Sequence, residues 1–144
     1  MTLVELLVVM AVIGLILAIS VPGLAGYAKQ VRLKTATRAI AGLLSLARST
    51  AISSHEDHAV IIDPERLQIS IVNVSSGEAM EQMVRLPSSV TLSMESGGEP
   101  SQETQIVFRS TGSLVGRSVS VILADRDKRY TITVMGTTGA VSVQ

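Results

Sequence analysis

The first twenty-eight residues constrain this chain more than anything that follows. Between Met1 and Leu24 the only charge is the carboxylate of Glu5, and residues 6–28 carry none; the next charge is Lys29. A run of ~20 apolar residues is long enough to cross a bilayer as a helix, so residues 1–28 are expected to form a transmembrane anchor. One ionisable group inside such a segment is costly and calls for a partner. A secretory signal peptide would open with basic residues and close on a small-residue cleavage site; this opening has Glu5 and no basic residue. A plain single-pass anchor fits the apolar run but leaves Glu5 without a purpose.

The string Thr2-Leu3-Val4-Glu5-Leu6-Leu7-Val8-Val9, with glutamate fifth, resembles the mature N-terminus of type IV pilins and type II secretion pseudopilins. Met1 stands where that family most often has phenylalanine, following a leader that ends in glycine. The resemblance implies that the segment first anchors the subunit in the inner membrane and then enters the core of a helical filament. There Glu5 would pair with the N-terminal amine of a neighbouring subunit, carried here by Met1, the amine that N-methylation would modify. Leu3, Leu6, Leu7, Val9, Ile13 and Leu17 would pack helix against helix. Gly14 and Pro22 would let the segment between them stretch or unwind during stacking; the alternative is a tolerated kink, ordinary in membrane helices. The partners implied are other copies or related pilins, a prepilin peptidase, an inner-membrane assembly platform and, before assembly, lipid.

Lys29, Arg32, Lys34 and Arg38 follow the apolar run directly. Taken alone they would place the rest of the chain in the cytoplasm, because cytoplasmic flanks carry the lysine and arginine excess. In the resembling family a basic leader holds the N-terminus inside. The head is therefore expected in the periplasm, and later in a periplasmic or extracellular filament.

Beyond residue 28 the pattern is that of one head, residues 29–144, with an amphipathic helix to about residue 53 and strands after it. Ala36, Ile40, Leu43, Leu44, Ala47 and Ala51 recur at spacings of three and four and predict one apolar helix face. Lys34, Arg38, Ser45 and Arg48 fall largely elsewhere. Pro22 and Gly23 are expected to interrupt the preceding helix. An uninterrupted helix of ~50 residues would be ~75 Å long.

After Ser53-Ser54-His55-Glu56-Asp57 the period becomes two, as in Leu67, Ile69 and Ile71, in Val119 and Val121, and in Tyr130, Ile132 and Val134. Such alternation marks half-buried strands of a mostly antiparallel sheet. Strands are predicted near 58–63, 67–74, 79–86, 89–95, 104–109, 117–124, 129–135 and 140–143, with turn signals between them, among them Ser96-Gly97-Gly98-Glu99-Pro100. A helix followed by strands is an α+β arrangement, with the helix covering one sheet face. The layout resembles the GspH/FimT-type pseudopilins and minor pilins, in the segments Ile106–Ser113 and Tyr130–Val141.

Catalytic and ligand-binding patterns are sparse. His55-Glu56-Asp57-His58 places its histidines three apart, whereas a zinc-protease helix needs them four apart, and two imidazoles fall short of a zinc ligand set. The expectation is a solvated loop. Asp125-Arg126-Asp127-Lys128-Arg129 has mixed signs and too few oxygens for calcium. No Gly-x-Ser-x-Gly elbow or phosphate-binding glycine loop occurs, and without cysteine there is no thiolate chemistry. No enzyme activity, metal or cofactor is expected.

A DNA-binding minor pilin of FimT type, acting in DNA uptake, is the alternative. Twelve basic residues balance twelve acidic ones, and the tail from Gly136 to Gln144 has neither lysine nor arginine. Arg126, Lys128 and Arg129 form a small, half-neutralised patch. Nucleic acid is therefore not an expected partner. Tyr27, Phe108 and Tyr130 are too few for a base-stacking surface, and Tyr27 alone on the long helix disfavours a conducting pilus.

Overall fold

A computed structural model of the chain describes residues 2–125 and 128–144, without the side chains of residues 19–25 and 29. The chain is α+β. Among the described residues a single helix, α1 (Leu3–Ser54), precedes nine strands: β1 (His58–Asp63), β2 (Gln68–Asn73), β3 (Ala79–Arg85), β4 (Thr91–Ser96), β5 (Glu99–Ser101), β6 (Gln105–Phe108), β7 (Val119–Ala124), β8 (Arg129–Val134) and β9 (Val141–Val143). Two compact units divide the chain, Met1–Arg32 and Leu33–Gln144.

The expected interruption at Pro22 and Gly23 is not present, because α1 continues through both positions. A proline forfeits one helical hydrogen bond and crowds the preceding turn, which bends more helices than it ends when the flanking bonds persist.

The strands form two antiparallel sheets where one was expected. The first has the order β3-β2-β1-β6 and the second β5-β4-β7-β8-β9. The division follows from how β6 and β4 pair. β6 pairs with β1, placing Phe108 opposite His58 and Ile106 opposite Val60. β4 instead pairs with β7, with Met94 opposite Val121. The short strand β5 was not anticipated, since Pro100 lies inside it and reads as a turn residue. It pairs only with β4, Glu95 facing Pro100, and the outer edge of a sheet is where proline is tolerated.

All six residues of the predicted helix face are buried, and Leu33 and Thr37 extend it by a turn. Thr37 reconciles its hydroxyl with burial by donating to the Leu33 carbonyl at 2.9 Å. This face joins one core with side chains from both sheets, among them Ile69, Ile71 and Phe108 of the first and Val121, Leu123 and Ile132 of the second. Each fully buried Leu, Ile or Phe contributes about 1.5–3 kcal/mol through apolar area removed from water. All residues of that core belong to the unit Leu33–Gln144.

Candidate assembly site

The N-terminal end of α1 is built by a reciprocal pair of hydrogen bonds. The Glu5 backbone N–H donates to Thr2 Oγ1 at 3.3 Å, and the Thr2 backbone N–H donates to Glu5 Oε2 at 3.4 Å. The first helical bond of the turn runs from the Leu6 N–H to the Thr2 carbonyl. Thr2 is thus the N-cap and Glu5 the third helical residue, the arrangement called a capping box. It satisfies two donors that a helix start otherwise leaves open, and it sets the negative charge at the positive end of the helix dipole. A carboxylate offers about four acceptor positions, so one bond at 3.4 Å leaves most of the capacity of Glu5 open. Thr2 is the residue that sequence reasoning missed. Its signal, threonine three residues ahead of glutamate before an apolar run, was present.

Every described residue from Thr2 to Ala18 is exposed. Leu3, Leu6, Leu7, Val9, Ile13 and Leu17, the six candidates for filament-core packing, are all among them, at between 47% and 78% of their full accessibility. Contiguous apolar surface on this scale marks a surface that meets lipid or another protein. Gly14 lies on this stretch of helix, and a Cβ there would meet nothing within 4 Å. Met1, the bearer of the candidate amine, lies outside the described residues, as does the side chain of Pro22. Among the described residues no helix is long and apolar enough to cross a membrane; the apolar run of the sequence continues into residues 19–25, whose side chains are not described.

In the head, the two glycine-bearing segments converge on the helix. Gly112 has φ +82°, and a Cβ there would lie 2.7 Å from Ile52 Cδ1. Gly139 has φ +64°, and a Cβ there would strike the carbonyl oxygen of Gly112. That same carbonyl accepts a hydrogen bond from Arg48 Nε at 3.2 Å. Only glycine reaches this conformation at little cost and admits such an approach. Arg48 and Ile52 of α1 therefore clamp two turns that are distant from each other in sequence.

The loop between α1 and β1 is not the merely solvated segment expected. His55 takes the left-handed conformation, φ 57°, that commonly closes a helix. Asp57 Oδ1 accepts the Ser110 N–H at 2.9 Å, and the Asn73 side-chain amide donates to the Glu56 carboxylate. His58 is buried, with Nδ1 3.0 Å from the Glu56 carbonyl, to which it donates. These side chains lock the helix end to β2 and to the segment after β6. Among the described residues no three histidine, aspartate or glutamate side chains are grouped to hold a metal. Of the basic patch considered for DNA, Arg126 lies outside the described residues, and nothing in the arrangement of Lys128 and Arg129 favours nucleic acid.

Residues 36–138 match the family described as type II transport protein GspH. Two minor pilus-type proteins are similar in fold. The type IV minor pilin FimU of Pseudomonas aeruginosa aligns with a TM-score of 0.67 at 17% identity, covering 82% of this chain and 92% of FimU. The minor pseudopilin EpsH from the type 2 secretion system of Vibrio cholerae aligns with a TM-score of 0.63 at 18% identity, covering 78% of this chain and 96% of EpsH. No curated protein sequence matches the chain.

Proposed function

We infer the role of this chain from the family it belongs to, the type II transport protein GspH family: it is a structural subunit of a pilus-like filament. The observation that carries this reading furthest is the exposed apolar face from Leu3 to Leu17, headed by a single capped carboxylate. Before assembly that face sits in the lipid of the inner membrane, with the head in the periplasm. In the filament it packs against the same face of neighbouring subunits, and residues 29–144 form the outer head.

Glu5 sets the register of that packing. Its open acceptor positions receive the N-terminal amine of a neighbour, and the pairing offsets part of the cost of burying each charge. Gly14 and Pro22 lower the helical stability between them, so the segment can lengthen as subunits stack. A prepilin peptidase and an inner-membrane assembly platform supply and insert the subunit. No catalytic step and no nucleic-acid contact is assigned to the chain. Its place is that of a secretion pseudopilin or a pilin.

Comparing Glu5→Ala with the unaltered chain tests this. Sheared filaments and membrane fractions should show the variant inserted in the membrane but depleted from filaments, with partial recovery in Glu5→Asp. Undiminished filament yield from Glu5→Ala would overturn the proposed register mechanism.

A further inference from the structure

A cleft of about 550 Å³ opens at one end of the head, lined by Arg109, Arg117, Ser113, Ser118, Gly136 and Thr137 among others. Two arginines and three hydroxyl-bearing residues line it, and no acidic residue does among the described residues. Neither arginine makes an ion pair with another described residue. The Arg117 side chain lies over the Gly97 turn, its Cδ 3.1 Å from where a Cβ would be. Ser118 Oγ accepts the Gly136 N–H at 3.0 Å, which leaves its own O–H to donate. Such a site takes a carboxylate-bearing segment, since arginine binds carboxylate in a bidentate fork.

The same head carries a complementary element. Glu78, immediately before β3, and Glu81, within it, are exposed and likewise make no ion pair with another described residue. β3 is one edge of the first sheet, and β6, which leads into Arg109, is the opposite edge. The two segments thus lie at opposite edges of the first sheet. Surfaces that differ and complement each other repeat head to tail, and where the rotation does not close they generate helical filaments.

We propose that the Arg109–Arg117 cleft is the acceptor for the Glu78–Glu81 segment of a second copy of this chain. The contact rests on the filament reading above and adds a head-to-head charge match to the pairing at Glu5. It also gives a net-neutral chain a use for charges that form no ion pair among the described residues.

The chain has no cysteine, so engineered thiols report contacts cleanly. The full-length chain carrying Ala79→Cys and Thr137→Cys is assembled and oxidised, and its products are separated without reductant. A ladder of disulfide-linked multimers is expected. Its yield should drop between about 0.1 M and about 1 M salt, where the screening length shrinks from about 10 Å to about 3 Å. Adding Arg109→Glu and Arg117→Glu should abolish the ladder, and adding Glu78→Arg and Glu81→Arg as well should restore it. Filaments that form without any ladder, or that link Thr137→Cys to Glu103→Cys in place of Ala79→Cys, would overturn the contact and leave the filament reading standing. Absence of filaments from the unaltered chain, scored by electron microscopy, would instead count against the filament reading itself.

Discussion

The carbonyl oxygen of Gly112 occupies the place where a side chain on Gly139 would begin. Two turns separated by the whole of β7 and β8 are in backbone contact there, held against α1 by Arg48.

Gly139→Ala is accordingly expected to destabilise the head severely. The left-handed conformation alone costs alanine roughly 1–2 kcal/mol, and displacing the Gly112 carbonyl adds strain and weakens the Arg48 bond. Gly77 is the comparison, since it has φ +71° but nothing within 4 Å of its Cβ position. Gly77→Ala should lose only the conformational part. Urea denaturation of the two variants in detergent measures the difference, and equal midpoints would contradict the contact.

Thr2→Ala removes the N-cap hydroxyl, a loss of about 1 kcal/mol at a helix start. Thr2→Ser keeps it. Hydrogen exchange at the amides of Val4, Glu5 and Leu6 should speed up in the alanine variant and stay near the original rate in the serine variant. Filament yield should fall less for Thr2→Ala than for Glu5→Ala, because in the proposed register Thr2 only positions the carboxylate that Glu5 supplies.

Leu44 is fully buried at the centre of the helix face. Leu44→Ala should cost about 2–5 kcal/mol, the range for a large-to-small change that leaves a cavity. Lys34→Ala, exposed and on another face, should stay within about 0.5 kcal/mol. Thermal melting of the head signal by circular dichroism separates the two.

Removing residues 1–28 should leave a folded head, because every core residue begins at Leu33 or later. Size-exclusion chromatography and circular dichroism are expected to give a monomeric species with helix and strand signals. An aggregated or strand-free product would move the boundary.

How much of this was readable beforehand depended on the range of each interaction. The Ala36–Ala51 face was legible because helical burial repeats every three to four residues whatever the helix packs against. Strand positions were legible for the same reason at a period of two. Which strands are neighbours was not, since the alternation of Val60 or Met94 fixes a face and carries no information about β6 or β7. β5 was hidden by Pro100, whose outer-edge position only the completed sheet supplies. Gly112 and Gly139 stood out individually as turn glycines, but their meeting depends on tertiary placement. Glu5 stood out by its isolation in an apolar run, while Thr2, equally local, was overlooked because a hydroxyl there is unremarkable to hydropathy.

The sheet borders carry a consequence for the time before assembly. β5 contains a proline, and β9 is three residues long. β6 is covered on its open side, where Leu114 bridges Phe108 and the Val115 N–H bonds the Val107 carbonyl. Among the described residues only β3 presents a long free border, and it carries Glu81 and Arg85. Bare strand borders template the growth of sheet on sheet, and proline, shortness, cover and charge each suppress it. The heads are therefore expected to resist fusing edge to edge into cross-β aggregates.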